Sequence, residues 1–187
     1  MTERPTLKTE RLILRAFSLA DGPVVKRMAG DRDIASTTVR IPHPYEDGMA
    51  EAWISTHHEQ YEKGESVVFA MTLREDSTLV GAIGLELRPE HTQAELGYWV
   101  GKPYWNCGYC TEAAREVLWY AFGTLGLNRV YAQHFGRNPA SGRVLRKIGM
   151  KHEGSLRRHF KKWGKYEDVE WYGILMDDTT NRTVPGI

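Results

Sequence analysis

Between residues 103 and 111 the chain reads Pro103-Tyr104-Trp105-Asn106-Cys107-Gly108-Tyr109-Cys110-Thr111. A glycine in a strand-to-helix turn lets consecutive backbone N–H groups converge on one point, where the positive end of the helix dipole adds to them. That makes an anion site with no need of a basic side chain. The same stretch is a C-x-x-C at a helix start, where thiol pKa values fall and dithiol redox chemistry becomes available. A zinc site has less support, because no second cysteine pair lies near and His91 and His134 lack ligand spacing. Further on, Asn138-Pro139 opens another helix, with Ser141 one turn in and Lys147 toward its end. Its spacing from the first can set both helix starts along one cleft.

These residues need elements to hold them. Branched residues predict a strand over 7–16, and Asp21 and Pro23 suit the start of a helix over 18–29. Pro42 and Pro44 mark a loop, and Met49, Trp53, Ile54 and Tyr61 give helical spacing over 46–62. Strands at 66–73 and 78–87 join through Arg74-Glu75-Asp76-Ser77. In the strand at 93–100, Ala94, Leu96, Tyr98 and Val100 alternate with Glu95, Gly97 and Trp99, so one face is buried while the other lines something. The clearest helix runs over 111–125, with Ala114, Val117, Leu118, Ala121, Phe122 and Leu125 as its apolar stripe. A strand at 129–135, a helix opened by Asn138 and stopped at Gly149, and strands near 151–160 and 167–176 turning at Trp163-Gly164-Lys165 complete an α+β order.

Charge and length narrow the function. The chain has 187 residues, 25 Lys+Arg against 24 Asp+Glu, and two cysteines. That length suits one domain able to bury a sizeable core. A net charge of +1 argues against a nucleic-acid or membrane coat and confines any basic surface to local patches. No apolar run approaches the roughly 20 residues needed to cross a bilayer, and the polar first residues, 1–11, lack a signal core. A cytoplasmic, reducing setting is expected.

The chain resembles the GNAT superfamily of acetyl-CoA-dependent N-acetyltransferases. Trp105, Asn106, Cys107, Gly108, Tyr109 and Cys110 fill that superfamily's pyrophosphate-loop positions. The central glycine matches; Trp105 and Cys110 depart from the common residues. Within it the chain looks most like the ribosomal-protein N-terminal acetyltransferase branch. The run from Thr9 to Arg15, Glu95-Leu96-Gly97-Tyr98-Trp99-Val100, Tyr109 to Ala113, the Asn138 helix, Glu153-Gly154 and Tyr166-Glu167-Asp168 fall in that branch's order. The match spans about residues 7–176. The resemblance implies one GNAT-like domain over 1–187, with a central, mostly antiparallel mixed sheet of about seven strands, splayed in the middle and flanked by about four helices.

It also implies acetyl transfer from acetyl-CoA to a primary amine by direct attack in a ternary complex, with no metal. The expected cofactor contacts are the backbone N–H groups of Asn106, Cys107, Gly108, Tyr109, Cys110 and Thr111, with Trp105 beside them. Trp99 and Val100 lie on the strand that pairs with the pantetheine arm, where a backbone N–H near Val100 would face the developing oxyanion. Asn138 is expected to bond the pantetheine amide as well as cap its helix, and Lys147, with Arg143 and Arg146, to add charge near the phosphates. Many members place a thiolate-protonating tyrosine where this chain has Leu145, which leaves Ser141 as the nearest hydroxyl. A thiol of pKa about 8.5 needs only modest help to leave.

An α-amine, with pKa about 7.7 to 8.0, is roughly a tenth neutral at pH 7, whereas a lysine amine is almost wholly charged. A protein N-terminus therefore needs little more than a water relay, held by Glu95 as first candidate and His134 as second. The expected partners are acetyl-CoA and an amine acceptor, a ribosomal or other protein N-terminus, with neither nucleic acid nor membrane; the protein is expected as a monomer or homodimer. A small-molecule amine (antibiotic, polyamine or amino acid) and a non-catalytic acyl-CoA-binding module are the alternatives. Arg157, Arg158, Lys161, Lys162 and Lys165, around His159, are either a solvated face or an attractor for an acidic partner or for phosphates.

Overall fold

The structure is a computed structural model that describes residues 4–180. Residues 1–3 and 181–187, part of the expected 1–187 domain, lie outside the described residues. The strands are β1 (Leu7–Lys8), β2 (Leu12–Arg15), β3 (Ser66–Leu73), β4 (Leu79–Arg88), β5 (Gln93–Val100), β6 (Arg129–Phe135), β7 (Lys151–Lys162) and β8 (Lys165–Leu175). The α-helices are α1 (Gly22–Ala29), α2 (Arg32–Thr37), α3 (Met49–Glu62), α4 (Tyr109–Trp119), α5 (Pro139–Lys147) and α6 (Met176–Thr180).

One eight-stranded sheet runs in the order β1-β2-β3-β4-β5-β6-β8-β7. Apart from the parallel pair β5/β6, neighbouring strands are antiparallel. The eighth strand comes from the run predicted as one strand over 7–16, which folds back on itself. The Thr9 hydroxyl accepts the Leu12 N–H (2.9 Å) and the Thr9 N–H donates to the Leu12 carbonyl (3.0 Å), local bonds that compete with extended pairing. Leu7 then pairs with Leu14. The two extra helices, α2 and α6, have six and five residues, too few for a 3.6-residue period to show. α4 starts two residues before its predicted start and runs into a π-turn over Tyr120–Thr124.

Apolar cores cover both faces of the sheet. On one, α4 and α5 bury Ala113, Ala114, Val117 and Leu145 against Leu12, Phe69, Ile83, Leu96 and Val130. On the other, α1, α2 and α3 bury Val25, Met28, Ile34 and Ile54 against Phe17, Ala70, Ala82 and Trp99. Trp99 thus packs one way while Tyr98 and Val100 pack the other, as the predicted alternation requires.

The irregularity that matters is at the centre. β5 and β6 pair only through Gln93 with Arg129, Ala94 with Val130 and Glu95 with Tyr131, yet β5 continues to Val100 and β6 to Phe135. Past Glu95 the two strands part and leave their facing edges open.

Candidate active site

Helix α4 points its N-terminus at this opening. Asn106 and Gly108 both adopt positive φ, at 62° and 83°; glycine does so at little cost, asparagine at more. The helix has no side-chain cap, and the Glu112 N–H reaches the Gly108 carbonyl at 3.1 Å. The amides before it are the orphan donors of a helix start. Arg11 pins the loop from behind: its guanidinium donates to the Cys107 carbonyl (3.0 Å) and to Glu112 (2.7 Å), and lies over the Tyr109 ring. A Cβ on Gly108 would stand 3.3 Å from Arg11 Nη2. Burial alone would raise the Glu112 carboxyl, but bonds from Thr9 and Arg11 outweigh it and hold the pKa low. An open cleft of about 690 Å³ lies here, lined by Glu10, Arg11, Gly108, Thr111, Glu112, Arg115 and Lys147. Orphan amides and a helix dipole, with Arg115 and Lys147 beside the Arg11–Glu112 pair, fit a phosphate-bearing ligand.

Along the open edge of β5, the Gly101 N–H bonds the Val80 carbonyl of β4 (2.8 Å). Backbone groups alternate sides in an antiparallel ladder, so Val100 directs its own N–H and carbonyl into the gap. The Trp105 indole N–H already takes that carbonyl at 2.7 Å. From the other side, Asn138 caps α5 by accepting the Ser141 N–H (3.4 Å). The Ser141 hydroxyl meets the Tyr98 hydroxyl at 2.8 Å, across the gap between β5 and α5. Burial keeps the Tyr98 phenol protonated, well above its ordinary pKa.

Leu145, where a tyrosine was expected by resemblance, is fully buried in the core that Tyr98 joins. The alternation marked Tyr98 as buried but gave no sign of its partner on α5. Cys107 is exposed, and burial pushes the Cys110 thiol up. A thiol raised by burial is the reverse of an activated redox cysteine. Among the described residues no group of three His, Cys, Asp or Glu is placed to hold a metal ion.

On the opposite face, Glu95 accepts a hydrogen bond from Gln133 Nε2 at 2.8 Å, joining the strands just past their last pair. His134 falls on the α5 face: it stacks on Tyr172, and a Cβ on Gly142 would lie 2.7 Å from its Nε2. It is not placed beside Glu95. Helix α2 bridges the mouth of the gap. Lys102, just after β5, pairs with Asp33, and Arg137, just after β6, donates to the Ser36 carbonyl and to Glu167. Arg40 pairs with Glu86. Sequence reasoning missed α2, Gln133 and these pairs, since partners so distant in the chain leave no local pattern.

The structure thus brings Val100, Trp105 to Thr111, Asn138 and Ser141 to the opening. It sets Lys147 on the adjoining cleft, Glu95 on the far face and Trp99 in the core beneath.

Comparison with known proteins agrees with this geometry. A family model described as an acetyltransferase (GNAT) domain matches residues 11–151. An uncharacterized N-acetyltransferase of Bacillus subtilis, YoaA, is 30% identical over 172 residues, 91% of this chain and 97% of the relative. A spermidine N(1)-acetyltransferase of Vibrio cholerae is 25% identical over 174 residues, 92% and 98% of the two chains. The ribosomal L7/L12 alpha-N-protein acetyltransferase RimL, solved with coenzyme A, superposes with a TM-score of 0.85 at 16% identity, covering 93% of this chain and 99% of that one. That last likeness is one of fold.

Proposed function

This chain belongs to the GNAT acetyltransferase family and is an acetyl-CoA-dependent N-acetyltransferase, and we propose that its acceptor is a protein N-terminal α-amine. The observation that carries this reading is the pairing of carboxylates around the acceptor-side mouth. Asp33, Glu86 and Glu167 are each matched by Lys102, Arg40 and Arg137, and Glu95 is left bonded only to a neutral amide. A polyamine carries several positive charges and needs several free carboxylates; a single α-amine needs one. The RimL-like fold supports the same reading. The spermidine acetyltransferase relative supports the second one, a small polyamine.

In this reading the amides from Asn106 to Thr111 hold the cofactor's phosphates, with Arg115 and Lys147 at the rim. Acetyl-CoA supplies the activated acetyl group. The Val100 N–H faces the position where negative charge develops, a contact worth about 3 kcal/mol per donor. Asn138 keeps its side-chain N–H₂ for the pantetheine while its oxygen caps α5. Either hydroxyl of the Tyr98–Ser141 pair can be the donor; in this reading Tyr98 donates to Ser141, and Ser141 donates its own hydroxyl hydrogen toward the departing sulfur. Glu95, held by Gln133, orients the water that removes the amine proton. An α-amine already partly neutral asks little of such a base.

The test compares thiol release from acetyl-CoA with a panel of short peptides bearing free N-termini and with spermidine, followed by mass spectrometry of the products. Acetylated peptide N-termini are expected. A kcat/KM for spermidine above that of every peptide overturns the reading.

A further inference from the structure

We infer that Gly97, in the middle of β5, determines which acceptors fit: its missing side chain leaves the recess that takes the side chain of the acceptor's first residue. This rests on the α-amine reading above and names the position that makes it selective.

Glycine inside a strand weakens the strand and leaves nothing to pack, so it usually answers a local need: a positive φ, a bulge, or a neighbour too close for a Cβ. None of these operates at Gly97. Its φ is not positive, and β4 and β5 pair without a shift of register from Gly81 with Val100 to Arg88 with Gln93. A Cβ added to Gly97 meets nothing within 4 Å. Its cross-strand partner, Gly84, behaves in the opposite way. A Cβ on Gly84 would stand 2.7 Å from the Val67 carbonyl oxygen and 3.2 Å from the Val68 Cα. The fold therefore demands glycine at 84 and leaves position 97 free.

The place of this opening ties it to the reaction. Residues two apart in a strand share a face at about 7 Å from each other, so Gly97 lies between Trp99 and Glu95, the carboxylate held by Gln133. On the β4 side Gly84 offers no side chain. On the other side β6 has parted, since the last pair of β5 with β6 is Glu95 with Tyr131. Gly97 is exposed there, on the face of Trp99 and away from the α4 core that Tyr98 and Val100 join. An amine that attacks the thioester from this face, with its proton drawn toward Glu95, carries its neighbouring carbon over position 97.

Acceptor chemistry then decides what the recess is for. In an α-amine the carbon beside the nitrogen bears a side chain, which needs room next to the attacked bond. In a linear polyamine that carbon bears only hydrogen, and the recess is idle.

The experiment uses the full chain, its variants Gly97→Ala and Gly97→Val, and three peptides that begin with glycine, serine or valine and are otherwise identical. Thiol release from acetyl-CoA gives kcat/KM for each. The natural chain is expected to acetylate all three. In Gly97→Val the ratio of the valine peptide's kcat/KM to the glycine peptide's is expected to fall at least about 10-fold, with Gly97→Ala in between, as crowding by one or a few methyl groups predicts. Taking the ratio cancels any general loss of activity. The thermal midpoint of Gly97→Ala is expected at or above that of the natural chain, because alanine gives up less freedom on folding. A midpoint well below it would show that the fold needs this glycine and would overturn the inference. An unchanged ratio, or a natural chain that accepts the glycine peptide and rejects the valine one, overturns the inference and leaves the α-amine reading standing. Failure of all three peptides with the natural chain overturns both.

Discussion

At the scale of single residues, the departures from the family pattern carry the most information. Trp105 stands where a glutamine or arginine is usual, and its indole binds the Val100 carbonyl and so fixes the end of β5. Cys110 stands where a small residue is usual; it is half-buried, and desolvation keeps its thiol protonated. Leu145, on α5, replaces a tyrosine, while Tyr98 brings a phenol to the same core from β5. In the proposed reaction Tyr98 acts through Ser141, as a positioning residue. Tyr98→Phe is therefore expected to lower kcat about 10-fold, the size of one hydrogen bond near 1.4 kcal/mol, with KM for acetyl-CoA unchanged. Steady-state kinetics with both substrates varied, beside a thermal midpoint within a few degrees of the natural chain, checks this. A change confined to KM, or to stability, sinks the role.

At the scale of elements, the parting of β5 and β6 makes the site, and α2 spans it. Two contacts hold α2 across the mouth, Lys102 with Asp33 on the β5 side and Arg137 with Ser36 on the β6 side. Removing one should loosen the acceptor's surroundings and leave the phosphate cradle on the other face alone. Arg137→Ala is expected to raise KM for a peptide acceptor several-fold, with KM for acetyl-CoA unaffected; an equal rise in both would show that α2 holds the whole site. Sequence periodicity was enough to place α4, α5 and the strands from β3 to β6, because each has a long apolar stripe or a clean alternation. The turn that opens α4 was legible too, since a glycine before a strong apolar stripe marks where a strand gives way to a helix, and Gly108 takes the positive φ of such a turn. What escaped were contacts set by the sheet order. Glu95 with Gln133, Tyr98 with Ser141 and Arg137 with α2 join segments roughly 40 to 100 residues apart, and no local pattern encodes them. The hairpin of β1 and β2 and the six residues of α2 escaped for a simpler reason, their shortness.

At the scale of the whole molecule, each of the two cores that flank the sheet holds a buried histidine. His134 stacks on Tyr172 on the α5 side, and on the side of α1 and α3 His57 is only 2% exposed and packed edge-on against Trp53 and Phe17. Among the described residues neither ring nitrogen of His57 has a hydrogen-bond partner. Burial, and then the nearby Arg4 guanidinium, lower the His57 pKa from 6.5 to about 4. The folded chain therefore holds a neutral imidazole at a pH where the unfolded chain takes up a proton. Stability is complete above pH 6.5 and declines as pH falls toward about 4, below which both states are protonated. The shift corresponds to a loss of about 3 kcal/mol over that window. The depressed carboxyls of Asp21, Glu112 and Glu153 add their own losses, but below their ordinary values of 3.8 to 4.5, so the two windows separate. Urea unfolding followed from pH 7 to 4.5 should show a midpoint that falls steadily in the natural chain and stays nearly level in His57→Leu, whatever packing cost that variant carries at neutral pH. Parallel slopes in the two proteins would place the acid sensitivity elsewhere, because a constant packing loss shifts the curve without tilting it.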